Sequence, residues 1–444
     1  MIILGGGPSG TAAALSLRAN APRLRVAVIE QSAYGAARIG ETLPPIVQPL
    51  LRQLGVWEAF VAEGHLQSYG ASSAWGSDEL SDNEFIFHTE GRGWHLDRRR
   101  FDVMLASEAE ARGATLYLGA RILDTQRTPA GDWRFDVRNR EGETISVAAR
   151  FVVDATGRRA AFAALQGAKR VLFDRLLGVS VFFACVSSAS ADTYSVVEAF
   201  EEGWWYTALL PGRGLVAVLM TDADIVRKER LRSSPAWFER LGRTHHIGAR
   251  CADAASHTEP SVHVAASARL DPLTGDDWLA TGDAASTFDP LSSQGVFKAL
   301  RHGILASYAV CDYFKGVRAG LEKYAALVAG EFEEYLGTRR EFYRAEARWP
   351  HAPFWQRRHA HISLHPAQKL LLARGVVPER VERAPMHLPA PELRLLCQLC
   401  AEPRTAHEIV AAFKAQTRSS LPDRRIIIAL QTLVEGGLIA KHAS

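Results

Sequence analysis

Three glycines at G-x-G-x-x-G spacing, Gly5, Gly7 and Gly10, and one carboxylate, Glu30, are the first residues here whose types and spacing could do chemistry. Glycines so spaced give a tight turn, let backbone approach a pyrophosphate and let a helix pack closely on a strand. The amides that follow, from Ser9 and Gly10 onward, open a helix whose dipole favours negative charge, so they face the phosphates. Glu30 ends the next apolar run, where an acid reaches a ribose hydroxyl pair. The ligand expected from this unit is a dinucleotide, NAD or FAD.

A second group lies far down the chain. Trp278 to Thr281 is apolar and ends in Gly282-Asp283, and Gln294-Gly295 precede a helical pattern from Val296. Asp283 there can accept a hydrogen bond from a cofactor hydroxyl, and the amides from Gln294 to Val296 offer a second helix start to partial negative charge. Two such helix starts suggest one long cofactor gripped at both ends. Between them, Arg38-Ile39-Gly40-Glu41-Thr42 is a loop able to fold back over the cofactor, with Glu41 a candidate base; a solvated turn is the alternative. Trp204, Trp205 and Tyr206 form a dense aromatic set, which either fills a sheet core or lines a pocket for a flat substrate. Cys397 and Cys400 share an apolar helical pattern with Leu393, Leu396 and Leu399 and have no second ligand pair, so they read as core, and no metal site is expected.

The elements that must position these groups follow from periodicity. Ile2 to Leu4 and Leu24 to Ile29 read as parallel strands around an Ala/Leu-rich helix. Residues 65 to 95 look like short strands of an inserted sheet, and Asp97 is a natural N-cap for the amphipathic helix that carries Arg98. Short strands follow at Thr115 to Leu118 and Arg121 to Leu123, then a hairpin from Trp133 to Val147. Arg150 to Gly157, including Thr156, returns as a buried strand and a polar turn. Leu177 to Thr221 alternates as an antiparallel sheet, and 304 to 347 reads as helix. Pro378, Pro385, Pro389 and Pro391 mark a linker. The last segment reads as three short helices and a strand, Leu438 to Lys441, with a capping box at Thr405 to Glu408 and a close at Gly436-Gly437.

The fold class expected is α/β, a Rossmann-like FAD-binding domain with an inserted antiparallel β-sheet substrate domain and a small C-terminal winged-helix-like domain. Its parts would be 1-70, 96-160 and 265-345 for the cofactor, 71-95 and 161-264 for substrate, 346-384 as a helical linker and 385-444 as the last domain. The 444 residues are 47% hydrophobic and 23% charged, ordinary for a globular chain, with net charge +3. That excess, and seven Lys/Arg against five Asp/Glu from Ala390 onward, are too small to point to nucleic acid or a membrane surface. No apolar run is long enough to span a bilayer, no signal peptide precedes the first strand and the cysteines do not form a disulfide framework, so a cytoplasmic location is expected.

Gly5, Gly7, Gly10 and Glu30, then Arg98, then Asp154-Ala155-Thr156-Gly157, then Gly282-Asp283, resemble the ordered motifs of FAD-dependent oxidoreductases of the aromatic-hydroxylase and halogenase group over residues 1 to 360. The resemblance implies noncovalent FAD, held by those residues with Arg38, Gln294 and Gly295, and a reaction in which reduced FAD takes up O2 as a C4a-hydroperoxide and oxygenates an electron-rich ring. It also implies an external or nicotinamide reductant. Ile39-Gly40-Glu41-Thr42 and Asp289-Pro290-Leu291 are similar to the tryptophan halogenase branch. That branch uses a lysine in its first hundred residues and a glutamate after Pro-Leu; here no lysine precedes Lys169, and Ser292 stands in the second place. Its W-x-W-x-I-P signature is altered to Trp204-Trp205-Tyr206-Thr207-Ala208-Leu209-Leu210-Pro211. With its C-terminal module the chain most resembles the peptidyl tryptophan dihydroxylases that mature tryptophylquinone cofactors, which implies a protein or peptide substrate and a maturation-enzyme partner. A small-molecule aromatic hydroxylase and a noncatalytic flavin-bound scaffold or regulator are the competing readings.

Overall fold

Ile2–Leu4 is covered on both faces and lies at the centre of a five-stranded sheet, as an unbroken aliphatic run before glycines requires. The computed structural model describes residues 1–35, 38–184, 193–212, 214–359, 364, 366–373, 388–435 and 438–442. The sheet runs Trp278–Ala280, Val152–Asp154, Ile2–Leu4, Ala27–Glu30, Thr115–Leu118, and every pair is parallel. Each link is therefore a crossover, which brings the three glycine-bearing turns after Leu4, Asp154 and Ala280 to one edge. Helix α1 (Pro8–Asn20) packs against α2 (Arg98–Ala111) and α3 (Gly295–Phe314). Small residues allow this: Ala12, Ala13 and Ala14 are fully buried, and a Cβ at Gly303 would lie 2.3 Å from the Ser9 carbonyl oxygen.

The helical stretch expected at 304 to 347 is two helices. Gly316 takes φ +84°, and the Val317 amide donates to the Asp312 carbonyl at 2.9 Å, so α3 closes and α4 (Ala319–Ala345) returns along it. Asp97 caps α2 by accepting from the Arg99 and Arg100 amides.

An eight-stranded sheet holds Leu176–Ala184, Gly214–Asp222, Gly203–Leu210 and Ser195–Phe200 in antiparallel order. Gly70–Ala74 joins Ser195–Phe200 in parallel, and Ser81–Glu84 forms the edge beyond. Gly93–His95, expected in the same insert, instead pairs with Thr42–Leu43 and Leu66–Ser68. That small sheet joins the Glu41 loop to the inserted stretch, because Trp94 anchors it against Trp57 and Phe60.

In the C-terminal module, helices Ala390–Leu399, Ala406–Thr417 and Asp423–Glu435 enclose a core that includes Cys397 and Cys400. The capping box of Thr405 and Glu408 is formed. Lys369–Leu372, read in sequence as part of a helical linker, is a strand that pairs with both Arg404–Thr405 and Ile439–Lys441. The last strand thus finds its partner upstream of the helices; Lys369-Leu370-Leu371-Leu372 buries Leu370, which only a sheet against the module core does. Pro378, Pro385 and the Gly436-Gly437 close lie outside the described residues.

Candidate active site

At the first turn the backbone leaves no room at two glycines and open room at the third. A Cβ on Gly5, whose φ is +107°, would lie 2.2 Å from the Ala155 carbonyl oxygen, and one on Gly10 would lie 1.9 Å from that of Gly5. A Cβ on Gly7 would meet nothing within 4 Å. The N-cap, Gly7, has no side-chain cap, so the first amides of α1 keep their donors for a ligand. Glu30 is buried; one carboxylate oxygen accepts from the Gly6 amide at 2.7 Å and the other from the Ser32 amide at 2.8 Å. Ser32 Oγ also donates to that second oxygen, so the acid is fixed beside the turn and the first oxygen keeps a lone pair for a ribose hydroxyl.

Arg38 and Arg98 converge on buried Asp102, at 2.9 and 3.2 Å. Arg98 also donates to the carbonyls of Ile39 and Gly40 at 2.9 and 3.2 Å, so the two arginines tie the Glu41 loop to α2. The Nε of Arg98 is buried with no protein partner. Thr156 spends its hydroxyl inside its own turn, donating to Asp154 at 2.6 Å and accepting from the Ala161 amide at 2.7 Å. Its side chain therefore shapes the turn, and it is the backbone of Ala155 and Thr156 that closes on Gly5.

The third turn sits against the first: Ser9 Oγ and Thr281 Oγ1 are 2.9 Å apart. Asp283 beyond it keeps 37% of its side chain exposed and is bonded by Lys298 Nζ at 3.0 Å, with Arg158 Nε at 3.6 Å. Burial pushes this carboxyl up, but Lys298, Arg158 and Arg170 outweigh it and hold the group below the usual carboxylate range. Gln294 caps α3 without a side-chain bond, and a Cβ on Gly295 would meet nothing within 4 Å. Gly303, against Ser9, stands eight residues beyond Gly295, so the starts of α1 and α3 are about 12 Å apart. One extended ligand can reach both.

Strand alternation divides the aromatic set. Trp205 points to the far face and packs on Trp237 with ring centroids 5.0 Å apart, so it is core, not pocket lining. Trp204 is also fully buried, and its Nε1 donates to the Tyr343 hydroxyl at 3.0 Å. Of the three, Tyr206 meets the Glu41 loop: its hydroxyl bonds Thr42 Oγ1, and the Glu41 carboxylate is close enough to act on it electrostatically. Burial first, then that carboxylate, raises the phenol well above its ordinary range. Glu41 itself is 3% exposed and accepts from the Gly40 amide at 2.8 Å, so it is no surface carboxylate. A cavity of about 730 Å³ opens at the start of α3, lined by Phe288, Ser292, Gln294, Tyr335 and Phe342 among others.

A family model described as an FAD binding domain matches residues 1–326. The chain belongs to this FAD-binding family. A putative FAD-dependent oxidoreductase, LodB, of Marinomonas mediterranea is 32% identical over 369 residues, 82% of this chain and 98% of that protein. Among solved structures, the myxobacterial chondrochloren halogenase CndH superposes with a TM-score of 0.73 at 22% identity, over 82% of this chain and 86% of that one. The peptidyl tryptophan dihydroxylase QhpG, essential for tryptophylquinone cofactor biogenesis, superposes with a TM-score of 0.63 at 21% identity over 98% of this chain and 99% of that one.

The flavoprotein's residues fit FAD. The uncapped amides at two helix starts and the open space over Gly7 suit a pyrophosphate, the fixed acid at Glu30 suits the adenosine's ribose, and the part-exposed carboxylate at Asp283 suits a hydroxylated chain. Sequence reasoning missed Lys298, Arg158 and Arg170 around Asp283, and Tyr34, whose hydroxyl donates to the Gly6 carbonyl at 2.8 Å. Lys298 left one trace: a charge inside the apolar pattern Val296, Phe297, Ala299, Leu300. Among the described residues, no group of three His, Cys, Asp or Glu could hold a metal, and no helix is long and apolar enough to cross a membrane.

Proposed function

We propose that this flavoprotein is a monooxygenase that hydroxylates an electron-rich aromatic ring, with a tryptophan side chain in a protein or peptide as its substrate. The observation that carries the oxygenase half concerns lysine. None occurs before Lys169, although the halogenase branch is expected to carry one in its first hundred residues, and the buried Lys298 is spent on Asp283 and the Ser286 carbonyl. Ser292 in place of that branch's glutamate supports the same reading.

FAD, when bound and reduced, supplies the activated oxygen. Glycine turn, Glu30 and Asp283 hold and orient the cofactor, and the sheet of Thr42–Leu43 and Gly93–His95 helps to bury the Glu41 side chain. Glu41 is proposed as the base, with the Gly40 amide holding its carboxylate in place and the Tyr206 phenol beside it. The C-terminal module has its own core, and likeness to a peptidyl tryptophan dihydroxylase over 98% of the chain supports a polypeptide substrate. A maturation-enzyme partner, and a reductant that is external or a nicotinamide, belong to this proposal.

A small-molecule hydroxylase is the second reading, favoured by the cavity of about 730 Å³, a size that small ligands occupy. Oxygen uptake by the reduced protein separates the two. A tryptophan-containing polypeptide should yield hydroxylated product where free tryptophan and simple phenols yield only peroxide; coupled turnover of a free phenol would favour the second reading.

A further inference from the structure

We infer that Lys298 is a positioning residue for the cofactor: its buried ammonium fixes one oxygen of Asp283 and leaves the other free to accept from FAD's hydroxylated chain. The side chain is 1% exposed, and a lysine with no solvent needs a reason to be charged. Its Nζ donates to Asp283 Oδ1 at 3.0 Å and to the Ser286 carbonyl, and it lies 4.7 Å from the centre of the Phe288 ring. The carboxylate, by contrast, is 37% exposed, with Oδ2 on its other side 3.6 Å from Arg158 Nε. That nitrogen is buried without a hydrogen-bond partner. Arg170 holds the carbonyls of Asp283 and Ala284, both at 3.1 Å, so the backbone of the turn is pinned as well.

The charges facing the pair come from three other elements. Arg158 on the turn Gly157–Arg159 and Arg170 on the strand Lys169–Leu172 face Asp283. Glu331 on α4 faces Lys298 and is bonded by His302 and Arg301, at 2.9 and 2.6 Å. Methionine would fill the space of Lys298 and remove the charge that opposes burial at Asp283. The carboxyl would then rise, and below its new value a protonated Asp283 would be a poor acceptor.

The test is the FAD affinity of apoprotein, read by flavin fluorescence from about pH 8 to about pH 5. Wild type and Lys298→Arg should bind with little change over this range. Lys298→Met should bind at least about tenfold more weakly, and lose further affinity as pH falls. Asp283→Asn should be as weak at every pH, and adding Lys298→Met to it should cost nothing more. Equal losses of thermal stability with an unchanged affinity profile in Lys298→Met would overturn the inference. So would additive effects in the double variant. If Lys298→Met alone does not fold, the double variant lacks both members of the pair and decides the matter against Asp283→Asn.

Discussion

Trp204 Nε1 donates to the Tyr343 hydroxyl at 3.0 Å, and that hydroxyl donates to Asp289 Oδ2 at 2.8 Å. One phenol therefore joins the large sheet, the end of α4 and the Asp289-Pro290-Leu291 turn that precedes α3. Arg339 completes the knot: its Nε donates to Asp289 at 3.0 Å and its Nη2 forms an ion pair with Asp174 at 3.0 Å. Tyr343→Phe leaves the indole unsatisfied in the core, so we expect a loss of about 1–3 kcal/mol in denaturant unfolding. FAD affinity should fall with it, because the same turn sets the start of α3.

Two glycines of the first turn, Gly7 and Gly10, predict opposite behaviour. Gly7 has φ −72° and ψ 179°, which any residue adopts, and a Cβ there meets nothing. Gly7→Val should leave apoprotein stability within about 0.5 kcal/mol while FAD retention through gel filtration is lost. Gly10→Ala meets the Gly5 carbonyl and should destabilise the apoprotein by about 1–3 kcal/mol, with or without FAD.

Legibility in sequence followed how local the signal was. Gly5, Gly7, Gly10 and Glu30 lie within one strand-helix-strand unit, where each residue has a backbone reason for its type, and the structure places them around one turn. The strands Leu176–Ala184 to Gly214–Asp222 were legible because alternation shows in their residues. Lys369–Leu372 was not, since its partners lie more than thirty residues ahead and four apolar-leaning residues fit a helix equally. Trp205 shows the same limit: its type fitted a sheet core or a pocket equally, and only its register sent it to the core. Lys298 was legible as an anomaly, but its partner was set by how α3 meets the Asp283 turn.

Acid stability carries a histidine signature. Burial pushes His95 down to about 4, with the Leu209 backbone opposing and Arg250 adding, and burial likewise pushes His65 down to about 4. Both are neutral in the fold and take up protons only on unfolding, so their stabilisation is full above about pH 6.5 and is lost as pH falls toward 4. Each contributes a slope approaching about 1.4 kcal/mol per pH unit in that window. His95→Phe should flatten urea-derived stability between about pH 6.5 and pH 4 by roughly one histidine's share; an unchanged slope would mean His95 is protonated in the fold.

The C-terminal module is proposed to hold the polypeptide substrate. Ile439–Lys441 is at the edge of its sheet, paired on one side by Lys369–Leu372, and an edge strand can accept a peptide through main-chain bonds. A chain ending at His359 removes the whole sheet, which a cut within the linker would not. It should keep its FAD spectrum and bind the partner polypeptide at least about tenfold more weakly. Unchanged binding and hydroxylation would make the module a structural cap.

The most direct measurement is mass spectrometry of a tryptophan-containing polypeptide after turnover by the reduced flavoprotein under isotopically labelled O2 with excess bromide. The account predicts labelled oxygen on the indole ring and no bromine. A brominated ring, or hydroxylation carrying oxygen from water, would contradict it.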